Sequence, residues 1–171
     1  MMLGTNPYAP PKAPVADRPD SHGLKRRSVP LMVVFLFVTF GFYYLIWFFR
    51  RRTKLNHLNS PRKLALWPLL LFSVVFVIQF VVGLLAGETP VDEVLGTGTA
   101  LLLQLLQIVV GIVMIVQCFK IKDIIEDHAA PPPGAEMFAE HVTLSGLMTF
   151  FFSIFYLQWA INRYVVPAAD K

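Results

Sequence analysis

The amino-acid sequence predicts an all-α integral membrane protein with about four hydrophobic helices. Composition, segment length and the placement of basic residues together make the case. Hydrophobic residues form 56% of the 171 and charged residues 15%, against about 45–50% and about 25% in soluble domains. Mean hydropathy is +0.59. Four stretches without Asp, Glu, Lys, Arg or His total roughly 80 residues, each near the ~20 that cross a hydrocarbon core. A soluble globular enzyme, a secreted disulfide scaffold and a nucleic-acid-binding domain are excluded, the last because no exposed basic face with its own fold exists. Cys118 is the single cysteine, which excludes an intramolecular disulfide and reads as a small buried hydrophobe.

Residues 1–24 hold Pro7, Pro10, Pro11, Pro14 and Pro19 and read as a disordered tail with polyproline II character. Pro11-Lys12-Ala13-Pro14 matches a minimal PxxP ligand, which chance produces readily in so proline-rich a tail. No secretory signal is expected, because the first apolar run ends in Arg50-Arg51-Arg52 rather than at a small-residue cleavage site. The membrane domain is predicted over residues 25–164, followed by a short tail at 165–171.

Segment one, Leu31 to Phe49, reads as one helix about 28 Å long. Tyr43, Tyr44 and Trp47 place its second half at a membrane–water interface, and the helix is predicted to run on to His57, with Asn59 as its stop. Segment two, about 65–86, opens on the interfacial Trp67, with Pro68 tolerated in the first turn. An acidic loop follows, in which Thr89 caps a short helix begun by Pro90 and closed by Gly96. Segment three, about 101–119, is predicted to continue to His128, because Ile121, Ile124, Ile125 and His128 share one helical face. Ala129-Ala130-Pro131-Pro132-Pro133-Gly134 breaks it. Segment four, about 142–161, ends in the interfacial Tyr156 and Trp159 and contains no strong breaker.

The basic residues sit beside these segments: Lys25, Arg26 and Arg27, then Arg50, Arg51, Arg52 and Lys54, then Arg62 and Lys63. They read as contacts to anionic lipid headgroups, each worth about 1 kcal/mol near such a leaflet. Loops 50–63 and 120–141 are therefore assigned to the cytoplasm and the acidic loop 87–100 to the periplasm. Four simple crossings then put Lys25–Arg27 on the wrong side. The alternative is that segment one bends near Thr39 and Gly41 and returns to the side it entered from, with segment four doing likewise around a two-helix hairpin. Against it stands the cost of non-helical backbone in lipid.

No ionisable residue lies inside the four segments, which removes the groups that proton relays and voltage sensors need. The neutral polar residues Gln79, Gln104, Gln107, Gly111, Ser145, Thr149 and Ser153 read as helix-packing surfaces, within the chain, against a second copy or against a membrane-protein partner. A polar lining for a pore is the alternative. Asp123, Glu126, Asp127, His128, Glu136, Glu140 and His141 form a charged loop that could be imagined around a metal, but no HExxH-type spacing occurs. No catalytic constellation, metal site or cofactor site is expected.

One family resemblance emerges from these residues. Lys25-Arg26-Arg27-Ser28-Val29, Thr39-Phe40-Gly41-Phe42-Tyr43 with Trp47-Phe48-Phe49, and Leu55-Asn56 resemble the opening pattern of domain of unknown function 4234. Tyr156-Leu157-Gln158-Trp159 and Ile161-Asn162 are similar to its closing pattern. The resemblance implies a bacterial multi-pass membrane protein without an established activity. The expected function is a non-enzymatic inner-membrane protein acting through helix packing, lipid contact and partner binding, with a small channel or transporter as the alternative.

Overall fold

The computed structural model describes residues 23–131 and 141–166. It contains α1 (Val29–Val38), α2 (Phe42–Leu55), α3 (Trp67–Ala86), α4 (Val91–Leu95), α5 (Thr97–Ala129) and α6 (Gly146–Ala160), which passes into a π-helical turn at Ile161–Val165. No strand occurs among the described residues. The prolines of residues 1–22, together with Glu136, Glu140 and most of the C-terminal tail, lie outside them. Leu24, placed by sequence at the end of the tail, is buried in the core beside the first bend's root.

Two helices are long and apolar enough to cross a membrane: α3, about 30 Å, and α5, about 50 Å. They pack as an antiparallel hairpin, and the Gln79 side-chain amide donates to the Leu103 carbonyl across it (3.3 Å). The acidic loop closes the far end, with α4 starting at Val91 and Pro90 as its N-cap, one residue later than the cap pattern predicts. Only 11% of the most apolar window of either helix is buried, and Leu85 (78% exposed) and Leu102 (69%) face outward. A soluble core helix would hide that surface; here the buried positions are few in α3 and gather in the C-terminal half of α5.

Segment one is not one helix. α1 stops after about 15 Å and α2 leaves in a new direction. The turn is a Schellman closure: the Phe40 N–H donates to the Phe37 carbonyl (3.1 Å) and the Gly41 N–H to the Leu36 carbonyl (2.9 Å). Phe40 (φ 50°) and Gly41 (φ 88°) are both left-handed. Thr39 Oγ1 serves both helices, donating to the Phe35 carbonyl (2.7 Å) and accepting from the Tyr43 N–H (2.9 Å). The φ of Gly41 disfavours any side chain, and a Cβ there would stand 3.2 Å from the Phe76 ring, which would have to shift slightly. The Thr39–Tyr43 motif is thus a corner whose backbone groups are satisfied internally, which is what non-helical backbone at membrane depth demands.

The two ends of this bent segment lie side by side. The Arg51 guanidinium donates to the Lys25 carbonyl (2.8 Å), and the Lys54 ammonium donates to the Gly23 carbonyl. Chain that enters at residues 23–27 has therefore returned to the same end by residues 51–54. α2 ends at Leu55 rather than His57, because Asn56 turns its side chain onto the next strand of chain, accepting from the Leu64 N–H (2.7 Å) and donating to the Leu64 carbonyl (3.1 Å).

Segment four also bends, although it contains no strong breaker. Ser153 sits inside α6 with φ 42° and ψ −120°. The Ser145 N–H donates to Tyr156 Oη (3.0 Å), though a straight helix would separate these residues by about 16 Å along its axis. Serine is no intrinsic breaker; the strain, of order 1–3 kcal/mol, is held by tertiary partners. Ser153 Oγ lies 3.1 Å from Cys118 Sγ and 3.3 Å from Tyr44 Oη. Phe40 and Ser153 are the two non-glycine residues with positive φ among the described residues, one at each bend.

The core forms where both bent segments meet the lower half of α5. Trp47, Phe48, Leu55, Ile121, Ile124, Ile125, Ile154, Leu157 and Ile161 are buried there. The twelve described lysines and arginines gather toward this end, and Glu88, Asp92 and Glu93 lie at the other.

Candidate functional site

Three chemical features lie along the axis of the molecule. The first is a hydrogen-bond chain joining the two bent segments. Trp47 Nε1 donates to Gln158 Oε1 (3.0 Å), Gln158 Nε2 donates to Asn162 Oδ1 (2.8 Å), and Asn162 Nδ2 donates to the Arg27 carbonyl (2.6 Å). The Arg27 N–H returns to Asn162 Oδ1 (3.1 Å). Trp47, assigned by sequence to the interface, is instead 3% exposed, because Gln158 offers its indole N–H an interior partner that water would otherwise supply. Tyr44 is likewise turned inward to Ser153 and Cys118 rather than to a headgroup layer. Trp67 is exposed, and Trp159 stacks on Tyr156 with the Arg163 guanidinium 5.5 Å from its ring.

The second feature is a basic cavity of about 220 Å³ between the root of α1 and the outer face of α2. Lys25, Arg27, Arg50, Arg51 and Lys54 line it, with Tyr43, Ile46 and Trp47 as its apolar wall. No carboxylate among the described residues lines it, and the ion pairs among those residues involve Arg62 and Lys122 instead. Arg51 is 6% exposed, and its guanidinium is pushed down to about 10, first by burial and then by the neighbouring Arg27. Of the other predicted headgroup contacts, Arg26 and Lys63 are exposed. The Arg52 Nε donates to the Leu64 carbonyl (2.9 Å), and Arg62 pairs with Asp123 (2.8 Å).

The third is a cavity of about 480 Å³ at the acidic end, lined by Gln79, Gln104, Gln107, Asp92 and Thr97 among others. Gln104 and Gln107 are exposed along an otherwise apolar helix, with Gly111 beside them on the same face. The Ser145–Thr149–Ser153 stripe does not act as one packing face. Ser145 caps α6 by accepting from the Met148 N–H, Thr149 is buried and donates to the Ser145 carbonyl, and Ser153 is the bend.

Of the charged residues that sequence placed in a loop after segment three, Asp123, Glu126, Asp127 and His128 lie in the last turns of α5 and are engaged in local structure. Ser60 Oγ donates to Asp127 (2.7 Å), the Asn59 N–H donates to His128 Nδ1 (3.3 Å), Lys122 pairs with Glu126 (2.7 Å), and Glu126 accepts from the Leu144 N–H. Among the described residues no group of three His, Cys, Asp or Glu side chains could hold a metal ion.

The sequence foresaw the cations but not their convergence, since residues 25–27 and 50–54 become neighbours only through the bend. Gln158 and Asn162 were visible as motif residues without a role. A family model described as Domain of unknown function (DUF4234) matches residues 27–127, more than half of the chain, and takes in the first bend, both long helices and most of the basic cavity. No curated protein and no solved structure matches.

Proposed function

The chain belongs to this family of unknown function, and from that premise we propose that it is a non-enzymatic protein of the bacterial inner membrane. In this proposal α3 and α5 cross the bilayer, while segments one and four enter from the cytoplasmic side and return to it. The observation that carries the proposal is the pairing of each bent segment's two ends: Arg51 on Lys25 in one, Ser145 on Tyr156 in the other. With both segments re-entrant, every described Lys and Arg faces the cytoplasm and the charge violation of four simple crossings disappears.

The consequence is asymmetry between leaflets. The cytoplasmic leaflet holds six helical sections, namely α1, α2, the two arms of α6 and the passing α3 and α5; the other leaflet holds two. Each section is about 10 Å across, so the protein widens one leaflet and favours membrane that is convex on that side. Reconstituted into vesicles of decreasing diameter, the protein is expected to insert with its basic end outward in a growing fraction of copies. Labelling of His57→Cys by an impermeant maleimide reads that fraction, and an orientation independent of diameter overturns the proposal.

A small channel or transporter is the second reading, favoured by the Gln-lined cavity at the acidic end. Exposed amides on an apolar helix gain from covering, and a second copy or a membrane-protein partner seated on Gln104 and Gln107 would cover them. That reading expects solute flux in liposomes, reduced severalfold by Gln104→Leu. Vesicles that hold their contents count against it.

A further inference from the structure

We propose that the cavity between the α1 root and α2 is a built binding site for a phosphate group carried on an amphipathic ligand, the anionic head of a phospholipid. The inference deepens the membrane reading above and rests on it for the source of the ligand. Scattered basic residues at a membrane surface meet headgroups loosely. This site differs because five cations from two chain segments, Lys25, Arg27, Arg50, Arg51 and Lys54, are drawn onto one concavity with no carboxylate among the described residues of its wall.

The arrangement is unfavourable without an anion. Five like charges within one small cavity repel, and the most buried of them, Arg51, has one hydrogen bond among the described residues, from Nη2 to the Lys25 carbonyl. A guanidinium carries five N–H donors in a planar fork that matches phosphate oxygens two at a time, so most of its capacity is unspent. Its lowered proton affinity, caused by burial and by Arg27, marks the same electrostatic deficit, which a bound dianion or monoanion would relieve.

Size and setting identify the ligand class. A cavity of about 220 Å³ admits a phosphate with its first ester linkage, the group that a planar guanidinium fork and its neighbouring cations match. Trp47 forms part of an apolar wall, and the cavity opens beside the α1–α2 hairpin, whose exposed Phe37 and Phe40 belong in acyl chains under the membrane reading. A free phosphate would satisfy the cations alone; a phospholipid would satisfy cations and wall together.

The test uses the full-length protein in nanodiscs of phosphatidylcholine with a minor fraction of phosphatidylglycerol, followed by native mass spectrometry of the lipids retained. Wild type is expected to keep phosphatidylglycerol in preference to phosphatidylcholine. Arg27→Gln with Arg50→Gln is expected to lower that preference about tenfold or more, since each cation near an anionic head matters on the scale of 1 kcal/mol. Neither side chain makes a hydrogen bond among the described residues, so the fold should survive. Arg62→Gln with Lys63→Gln removes the same charge outside the cavity and is expected to leave the preference intact. If inorganic phosphate stabilises the detergent-solubilised protein with the same residue dependence, and phosphatidylglycerol shows no preference, the site stands with a soluble phosphate as its source. Equal loss in the two double variants, or no preference for either probe, overturns the site. Cysteine labelling of the same variants in intact cells separates this failure from that of the membrane reading, because on a Cys118→Ser background Asp92→Cys must still label and His57→Cys must label only after permeabilisation.

Discussion

Single cysteines at Ser28, His57 and Val166, introduced on a Cys118→Ser background, are expected to react with an impermeant maleimide as one class, and a cysteine at Asp92 as the opposite class. In intact cells only Asp92→Cys should label, with the other three appearing after permeabilisation. The contrast is close to all-or-none because a spanning helix separates two aqueous compartments. Four simple crossings make a different prediction: Ser28 and Val166 on the outside with Asp92, and His57 alone within. Labelling of Ser28→Cys in intact cells would end the re-entrant arrangement. The sites suit the test, for Ser28, His57 and Asp92 are exposed and Cys118→Ser preserves a hydroxyl-sized partner for Ser153.

The physical case for this outcome lies in where the backbone groups go. A bend within lipid is costly when it leaves N–H or C=O groups without partners. At the first bend, Thr39 Oγ1 and the Schellman pair supply them. At the second, the strained Ser153 is clamped by Cys118 and Tyr44, the latter itself on the returning arm of the first hairpin. The two bends therefore depend on each other. Removing the first would take away Tyr44, and with it part of what holds the second.

This dependence also explains what was legible in the sequence. The two long helices, the C-terminal run of α5 to His128 and the separation of basic from acidic ends follow from length, periodicity and charge, which are local properties. The first bend was half visible, because Gly41 after Thr39 is a recognisable corner and because the Lys25–Arg27 cluster made a straight segment electrostatically awkward. Ser153 was illegible. In a run of Thr, Phe and Ser, no local propensity marks a reversal, and the four-residue spacing from Ser145 through Thr149 suggested a continuous face. The partners that meet Ser153 there are a sulfur and a phenol from elsewhere in the chain. The cavity was invisible for a related reason: its cations come from stretches about 25 residues apart, and only the return of α2 brings them to one wall. Trp47 shows the same limit in reverse, since an indole beside arginines looks interfacial until a buried amide is found opposite it.

That buried amide gives the largest expected effect on stability. Gln158 is fully buried and bridges Trp47 to Asn162, whose side chain grips both backbone groups of Arg27. Replacing it with leucine, of similar volume, leaves the Trp47 N–H without a partner in the core and releases one side of Asn162. An orphaned buried donor costs about 1–3 kcal/mol. The Gln158→Leu protein is therefore expected to unfold at lower denaturant in mixed micelles by that amount, with the two bent segments loosening together. Removing both partners should be milder than the separate losses imply: Trp47→Phe with Gln158→Leu has no orphaned donor, and a double-mutant cycle should return a coupling of about 0.5–3 kcal/mol. Gln117→Leu supplies the contrast. Gln117 is also buried, but its Oε1 has no partner among the described residues, so the substitution removes a desolvated carbonyl and is expected to be neutral or stabilising. Equal destabilisation by Gln117→Leu and Gln158→Leu, or strict additivity in the Trp47–Gln158 cycle, would mean that shape filling rather than the hydrogen-bond chain ties segment one to segment four, and the coupled-bend account of this fold would fall with it.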